Sequence, residues 1–195
     1  MGDAREEILG RVRAALADVS PAVEIPAAPR VAPVDDLVGL FCARVEDYRA
    51  TVSRCSAADL EALVASAVGG LTVVVPAGLD LAVPGSVVDD GLTAADLDTI
   101  GAVVTAARVG IAETGTIVLD HTADQGRRAV SLVPDLHVCI VREDQVVADV
   151  PDAVALLDPI RPLTWISGPS ATSDIELDRV DGVHGPRSLH VIVVG

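Results

Sequence analysis

Leu71-Thr72-Val73-Val74-Val75, closed by Pro76, is an unbroken apolar stretch too short for a buried helix and rich in β-branched residues. Apolar residues at consecutive rather than alternate positions mark a strand covered on both faces, which is the situation of a strand in a parallel sheet beneath helices. The same signature returns at Ala102–Thr105, Thr116–Leu119, Leu136–Val141, Leu163–Ile166 and Leu189–Val194. Helical segments stand among these runs. An apolar stripe of Val34, Leu37, Val38, Phe41, Val45 and Tyr48 predicts a helix near 35–49. A second helix is expected from Ser56, whose hydroxyl can cap it, to Gly69-Gly70, with Leu60, Leu63, Val64 and Val68 facing inward. Thr93 with Asp96 reads as an N-cap for 94–98, and Pro151 opens a short helix over 152–157. The fold class is therefore α/β, a twisted, mostly parallel sheet flanked by helices. Some antiparallel pairing is expected over 116–147, where strands follow one another without long helices between them.

Upstream of this body, Ile8, Leu9, Val12, Leu16 and Val19 recur at helical spacing over residues 4–18. Pro21, Pro26, Pro29 and Pro33 make 20–33 an extended linker. The chain divides accordingly into an N-terminal helix with its Pro-rich linker, 1–33, and an α/β domain, 34–195.

Composition excludes several functions. Of the 195 residues 14 are basic and 29 acidic, for a formal charge of −15, so a nucleic acid would be repelled over most of the surface. Every basic residue is arginine, which removes lysine Schiff bases and the P-loop lysine. Cys42, Cys55 and Cys139 form no CxxC pair, so neither a disulfide framework nor a metal-cluster motif is present and no metal ligands are assigned. Cys42 and Cys139 read as small core residues. The charged N-terminus lacks the apolar core of a signal peptide, no run is long enough to span a membrane, and a cytoplasmic location is expected.

Three polar, glycine-bearing segments carry the candidate chemistry. In Gly110-Ile-Ala-Glu-Thr-Gly-Thr116, placed between two strands, Glu113 can serve as base, nucleophile or metal ligand, or simply face solvent. Thr114, Gly115 and Thr116 beside it suit an oxygen-rich ligand. In Ser167-Gly-Pro-Ser-Ala-Thr-Ser-Asp-Ile-Glu176, Gly168-Pro169 forces a turn. Ser167, Gly168, Ser170, Thr172 and Asp174 then form either an anion nest or ordinary backbone caps. In Gly182-Val-His-Gly-Pro186, His184 and Gly185 offer a proton shuttle or a turn imidazole. His137 and His190, inside strands, read as packed and satisfied, and His121 as facing water. Arg127 and Arg128 read as solvated charge, with neutralisation of an anionic ligand as the other option.

GIAETGT, then SLVP at Ser131–Pro134 with His137 after it, then SGPSATSDIE and GVHGP resemble, in order and spacing, the LUD-domain family and within it the lactate-utilisation protein C group. The resemblance covers about residues 34–195. It implies a fold like that of the superfamily holding CoA transferases, ribose-phosphate isomerase and formyltetrahydrofolate cyclo-ligase. It also implies a cytoplasmic component of a system oxidising L-lactate to pyruvate, with a small anionic substrate and with iron–sulfur clusters held by partner proteins rather than by this chain. Glu113 and His184 are the catalytic candidates on this reading. The rival readings are a non-catalytic assembly or sensing module and a stand-alone transferase or ligase using CoA or a nucleotide.

Overall fold

The computed structural model describes residues 3–19, 26–173, 179–181 and 184–195, with 171–173 and 179–181 described by their backbone. Helices are α1 (Asp3–Ala15), α2 (Leu37–Asp47), α3 (Leu60–Val68), α4 (Ala94–Asp98) and α5 (Val150–Leu156). Strands are β1 (Thr51–Cys55), β2 (Val73–Val75), β3 (Ser86–Val88), β4 (Ala102–Ala106), β5 (Val109–Ile111), β6 (Thr116–Leu119), β7 (Leu136–Arg142), β8 (Val146–Val147), β9 (Thr164–Ile166), β10 (Ala171–Ser173), β11 (Arg179–Asp181) and β12 (Ser188–Val194).

The main sheet has the order β1-β12-β7-β4-β2-β3, and every neighbouring pair in it is parallel. Its continuous apolar runs resolve into two interleaved sets, because successive side chains point to opposite faces. Val138 and Ile140 of β7 join Val104, Ile192 and the α3 residues Val64 and Val68. Cys139 and Val141 join Val191, Val193 and the α2 residues Phe41 and Val45. Each face therefore has its own helix, which is why a polar position is so rare in these strands.

A second sheet, β8-β5-β6-β9, lies over the α2 side. Antiparallel pairing falls on β6 with β5 and with β9. The antiparallel pairing expected within 116–147 is thus present at β6, while β7 of that segment joins the parallel sheet. Ile117 and Leu119 pack towards Phe41, while Val109, Ile111 and Val118 pack on Ala153 of α5. A third pairing joins β10 to β11.

Several local expectations need correction. Gly110 and Ile111 belong to β5, so the supposed loop 110–116 is a hairpin turn of Ala112 to Gly115. The segment 167–176 contains β10. The edge strands β1 and β3 carry the mixed polar pattern of half-exposed positions and so lack the continuous run. Ser56 precedes a 3₁₀ turn, and its hydroxyl donates to Asp59 (2.6 Å) instead of capping α3. Thr93 and Asp96 do form a reciprocal capping box, and Gly69 ends α3 at φ +57°. Tyr48 and Val34, assigned to the α2 stripe, are exposed.

The stripe of α1 is exposed as well at Ile8, Val12 and Leu16. The end of the Pro-rich segment is nonetheless tied down: the Val31 N–H donates to Asp149 (3.4 Å), and Arg30 pairs with Asp149 (3.2 Å) and Asp152 at the start of α5. Among the described residues no helix is long and apolar enough to cross a membrane.

Candidate ligand-binding cleft

A cavity of about 230 Å³ opens where β9, the segment 128–132 and the segment 184–186 converge over β7 and β12. Its wall on one side is Thr164, Trp165, Ile166 and Ser167, the whole of β9 and the residue after it. Opposite stand Arg128, Ser131 and Leu132, and His184, Gly185 and Pro186 close the rim. The floor is His137 and Leu189, neighbours in the β7–β12 register. Both are second residues of their strands, so the cavity sits at the amino ends of β7 and β12. Open α/β sheets commonly hold ligands at the opposite, carboxyl ends. Here the connections entering the two strands build the site.

Two of the three segments singled out in the sequence meet at this place. The Ser170 N–H donates to the Pro186 carbonyl (2.8 Å), and the His184 N–H donates to the Ser170 hydroxyl (3.1 Å). Gly168 sits at φ +85°, and a Cβ there would lie 2.6 Å from Cβ of Tyr48, so only glycine turns the chain into the rim at this point. Ser167, Gly168, Ser170, His184 and Gly185 all line the cavity. Thr172 by its side chain and Asp174 altogether lie outside the described residues.

The remaining segment supports the wall from behind. Thr116 shares a 2.8 Å hydroxyl–hydroxyl bond with Ser167, and Thr114 donates to Thr116 (2.8 Å). Gly115, at φ +59°, packs on the end of α2, where a Cβ would come within 2.5 Å of the Arg44 backbone. Glu113 is exposed on the hairpin turn. Its N–H donates to the Ala148 carbonyl (3.1 Å), and its side chain is not part of the cavity lining.

The lining residues missed in the sequence are the more telling ones. Arg128 faces the cavity and forms no ion pair with a described residue, whereas Arg127 is locked in a two-pronged pair with Asp89 (2.8 and 2.8 Å) that holds the aspartate below its usual range. Of the two adjacent arginines one is paired with Asp89, and the other has no described counter-ion. Trp165, 42% exposed, presents its indole at the wall. His137 is 1% exposed, with Nε2 bonded to the Thr105 hydroxyl (2.8 Å). Burial, reinforced by Arg128, pushes this imidazole down to about 4, so it is neutral at physiological pH. His121 does not face water: it bonds the Gly126 carbonyl and the Thr164 hydroxyl, both at 2.8 Å, bracing the wall. The second strand histidine, His190, bonds Ser53 (2.9 Å) and is pushed down by burial.

Taken together, the lining combines one guanidinium without a counter-ion among the described residues, two imidazoles, several hydroxyls and an indole. Such a set can hold a small anion through charge-assisted and neutral hydrogen bonds and stack its carbon skeleton against a flat apolar surface.

Comparison with known proteins points the same way as the motifs. A crystal structure of a DUF162 family protein from Deinococcus radiodurans is similar, with a TM-score of 0.73 at 45% sequence identity over 84% of this chain and 100% of that one. A protein called lactate utilization protein C, from the same species, is 48% identical over 205 residues, covering 99% of this chain and 96% of its own length. The protein of that name from Bacillus subtilis is 36% identical over 102 residues, 47% of this chain and 41% of the relative. The LUD domain family model matches residues 88–194, a span that begins at the end of β3 and takes in every residue lining the cavity. The chain belongs to the LUD-domain family.

Proposed function

We propose that the chain serves lactate utilisation in the cytoplasm, as the component that binds a small carboxylate in the β9 cleft while iron–sulfur partner proteins carry electrons from L-lactate oxidation. The observation that carries this reading is the near full-length identity with a relative named for lactate utilisation. The cleft supports it chemically. It offers Arg128 to a carboxylate, and at about 230 Å³ it is smaller than the roughly 300–1,000 Å³ typical of sites for drug-sized ligands. A metabolite of a few heavy atoms suits that space better than CoA or a nucleotide. The three cysteines lie far apart in the sequence without a CxxC, so electron-carrying clusters fall to other proteins. On this reading His184, which lines the rim, exchanges a proton with the bound ligand.

The test is genetic and biochemical. Deleting the gene is expected to abolish growth on L-lactate and leave growth on glucose intact. Tagged protein expressed with its genomic neighbours is expected to co-purify with iron–sulfur proteins at modest salt. Normal growth of the deletion strain on lactate sinks the reading.

A further inference from the structure

We propose that His137, through Nδ1, is the residue that reads the ligand at the floor of the cleft, and that it selects short carboxylates carrying an oxygen on the neighbouring carbon. The proposal rests on the anion-cleft reading above and goes on to say which class of anion fits.

The geometry is specific. His137 is almost wholly buried in a central strand, yet it lines the cavity. Its Nε2 is occupied by Thr105, and no described residue bonds Nδ1. The ring lines the cavity, which is where a partner for Nδ1 can come from. A buried polar group without a protein partner is costly and is met by water or ligand. The other strand histidine resting on a hydroxyl, His190, is not in the lining of this cavity. Of the two strand histidines it is His137 that lines the cleft, together with a guanidinium that lacks a described counter-ion.

The tautomer follows from the ligand. The Thr105 hydroxyl can donate or accept, and its alternative contact, the Cys139 sulfur at 3.9 Å, is weak. A ligand oxygen at Nδ1 therefore draws the ring into its Nδ1–H form, with the Thr105 hydroxyl turning to donate to Nε2. The ring is neutral, pushed down to about 4 by burial and Arg128. It thus acts as a neutral donor and leaves the formal charge of the ligand to Arg128. Arg128 takes the carboxylate, His137 the adjacent oxo or hydroxyl oxygen, and Trp165 covers the carbon skeleton.

Trp165 is the sole tryptophan of the chain, so its fluorescence reports this cleft alone. Titration of the full chain with pyruvate or L-lactate is expected to change the emission saturably, with acetate binding at least about tenfold more weakly for want of the second oxygen. His137→Gln, whose amide takes the place of Nε2 and leaves the Nδ1 position empty, is expected to lower pyruvate affinity to that of acetate. His137→Asn, whose amide takes the place of Nδ1, is expected to recover part of it. Should His137→Gln fail to fold by circular dichroism, the imidazole ¹⁵N resonances of the unaltered protein decide. The Nδ1 signal is expected to move on adding pyruvate, and a static signal with a saturating Trp165 change overturns the role. Equal binding of acetate and pyruvate, or unchanged affinity in His137→Gln, overturns the inference and leaves the cleft reading intact. Absence of any saturable Trp165 response, with no heat of binding by calorimetry, removes the cleft reading and this inference with it.

Discussion

The centre of the main sheet and the rim at β9 are built from similar residues and behave oppositely. In β7 and β12 the aliphatic side chains are covered on one face by α2 and on the other by α3, and histidine is the polar residue that enters these runs, at 137 and 190. In β9, at the edge of the second sheet, Thr164 is buried while Trp165 is 42% exposed, and the strand ends in Ser167 and the Gly168 turn. The first region holds the fold and buries few polar side chains, His137 and Thr105 among them. The second gives up packing to present an indole, hydroxyls and backbone to a cavity. The lesson is that the ligand site is an interruption of the core: the core's one buried histidine forms its floor, and the edge strand forms its wall.

The sharpest way to break the central region is Phe41→Ala. Phe41 is fully buried between α2, the main sheet and the second sheet, and its ring lies 3.0 Å from where a Cβ on Gly110 would be. Truncation is expected to cost about 3–5 kcal/mol, read as a lowered midpoint in urea unfolding. Trp165→Ala at the rim, losing a half-exposed ring, should shift the midpoint far less while abolishing the fluorescence response. Equal destabilisation by the two would mean that β9 is part of the core and the contrast is false.

The second test uses pH. A neutral His137 in the folded chain titrates near 4, against an ordinary 6.5 when unfolded. Between those values the unfolded chain binds the additional proton. Stability attributable to this residue is therefore undiminished above pH 6.5 and falls as pH drops through the window. The loss approaches about 3 kcal/mol near pH 4. Asp89 and Asp135, held low by Arg127 and Arg187, add to the loss only at still lower pH. Urea midpoints measured at pH 7.5, 6, 5 and 4 should show this slope, and His137→Asn should flatten it between 6.5 and 4. An identical slope in the variant would place the titration elsewhere and deny that the ring is sealed in its neutral form.

How much of this was legible in the sequence follows from the same contrast. Strands β2, β4, β6, β7 and β12 announce themselves because burial on two faces leaves a continuous apolar run; β2, β4, β7 and β12 share the parallel sheet, whereas β6 pairs antiparallel in the second sheet. β1 and β3 were missed because an edge strand needs only half that pattern. At the site, glycines, serines and His184 stood out because loop residues of those types have few packing roles. Arg128 and His137 did not. Nothing in the dipeptide Arg127-Arg128 tells that Asp89 will take the first and leave the second. A histidine inside an apolar strand looks the same whether its far nitrogen meets protein or a cavity. The order of strands, which sets Leu189 beside His137 and places the 184–186 segment above them, is the missing information.

Glu113 offers the smallest expected effect and the cleanest probe of where the site ends. It lies in the conspicuous GIAETGT segment, which suggests chemistry, but only the hydroxyls of that segment reach the wall, through Thr116 to Ser167. The Glu113 side chain is exposed on the turn, and the fixed contact there is its backbone N–H to Ala148. Glu113→Gln keeps that bond and the shape of the turn. Stability is expected to change by no more than about 0.5 kcal/mol, as for surface positions generally, and pyruvate titration of Trp165 should be indistinguishable from the unaltered protein. Thr116→Val, removing the hydroxyl that braces Ser167, should weaken that binding although it lies deeper and carries no charge. The pair separates two ways the segment can matter. Loss of lactate-dependent growth in Glu113→Gln with unaltered ligand binding would locate a second functional surface on the hairpin turn, apart from the cleft, where a partner protein or a second reactant meets the carboxylate.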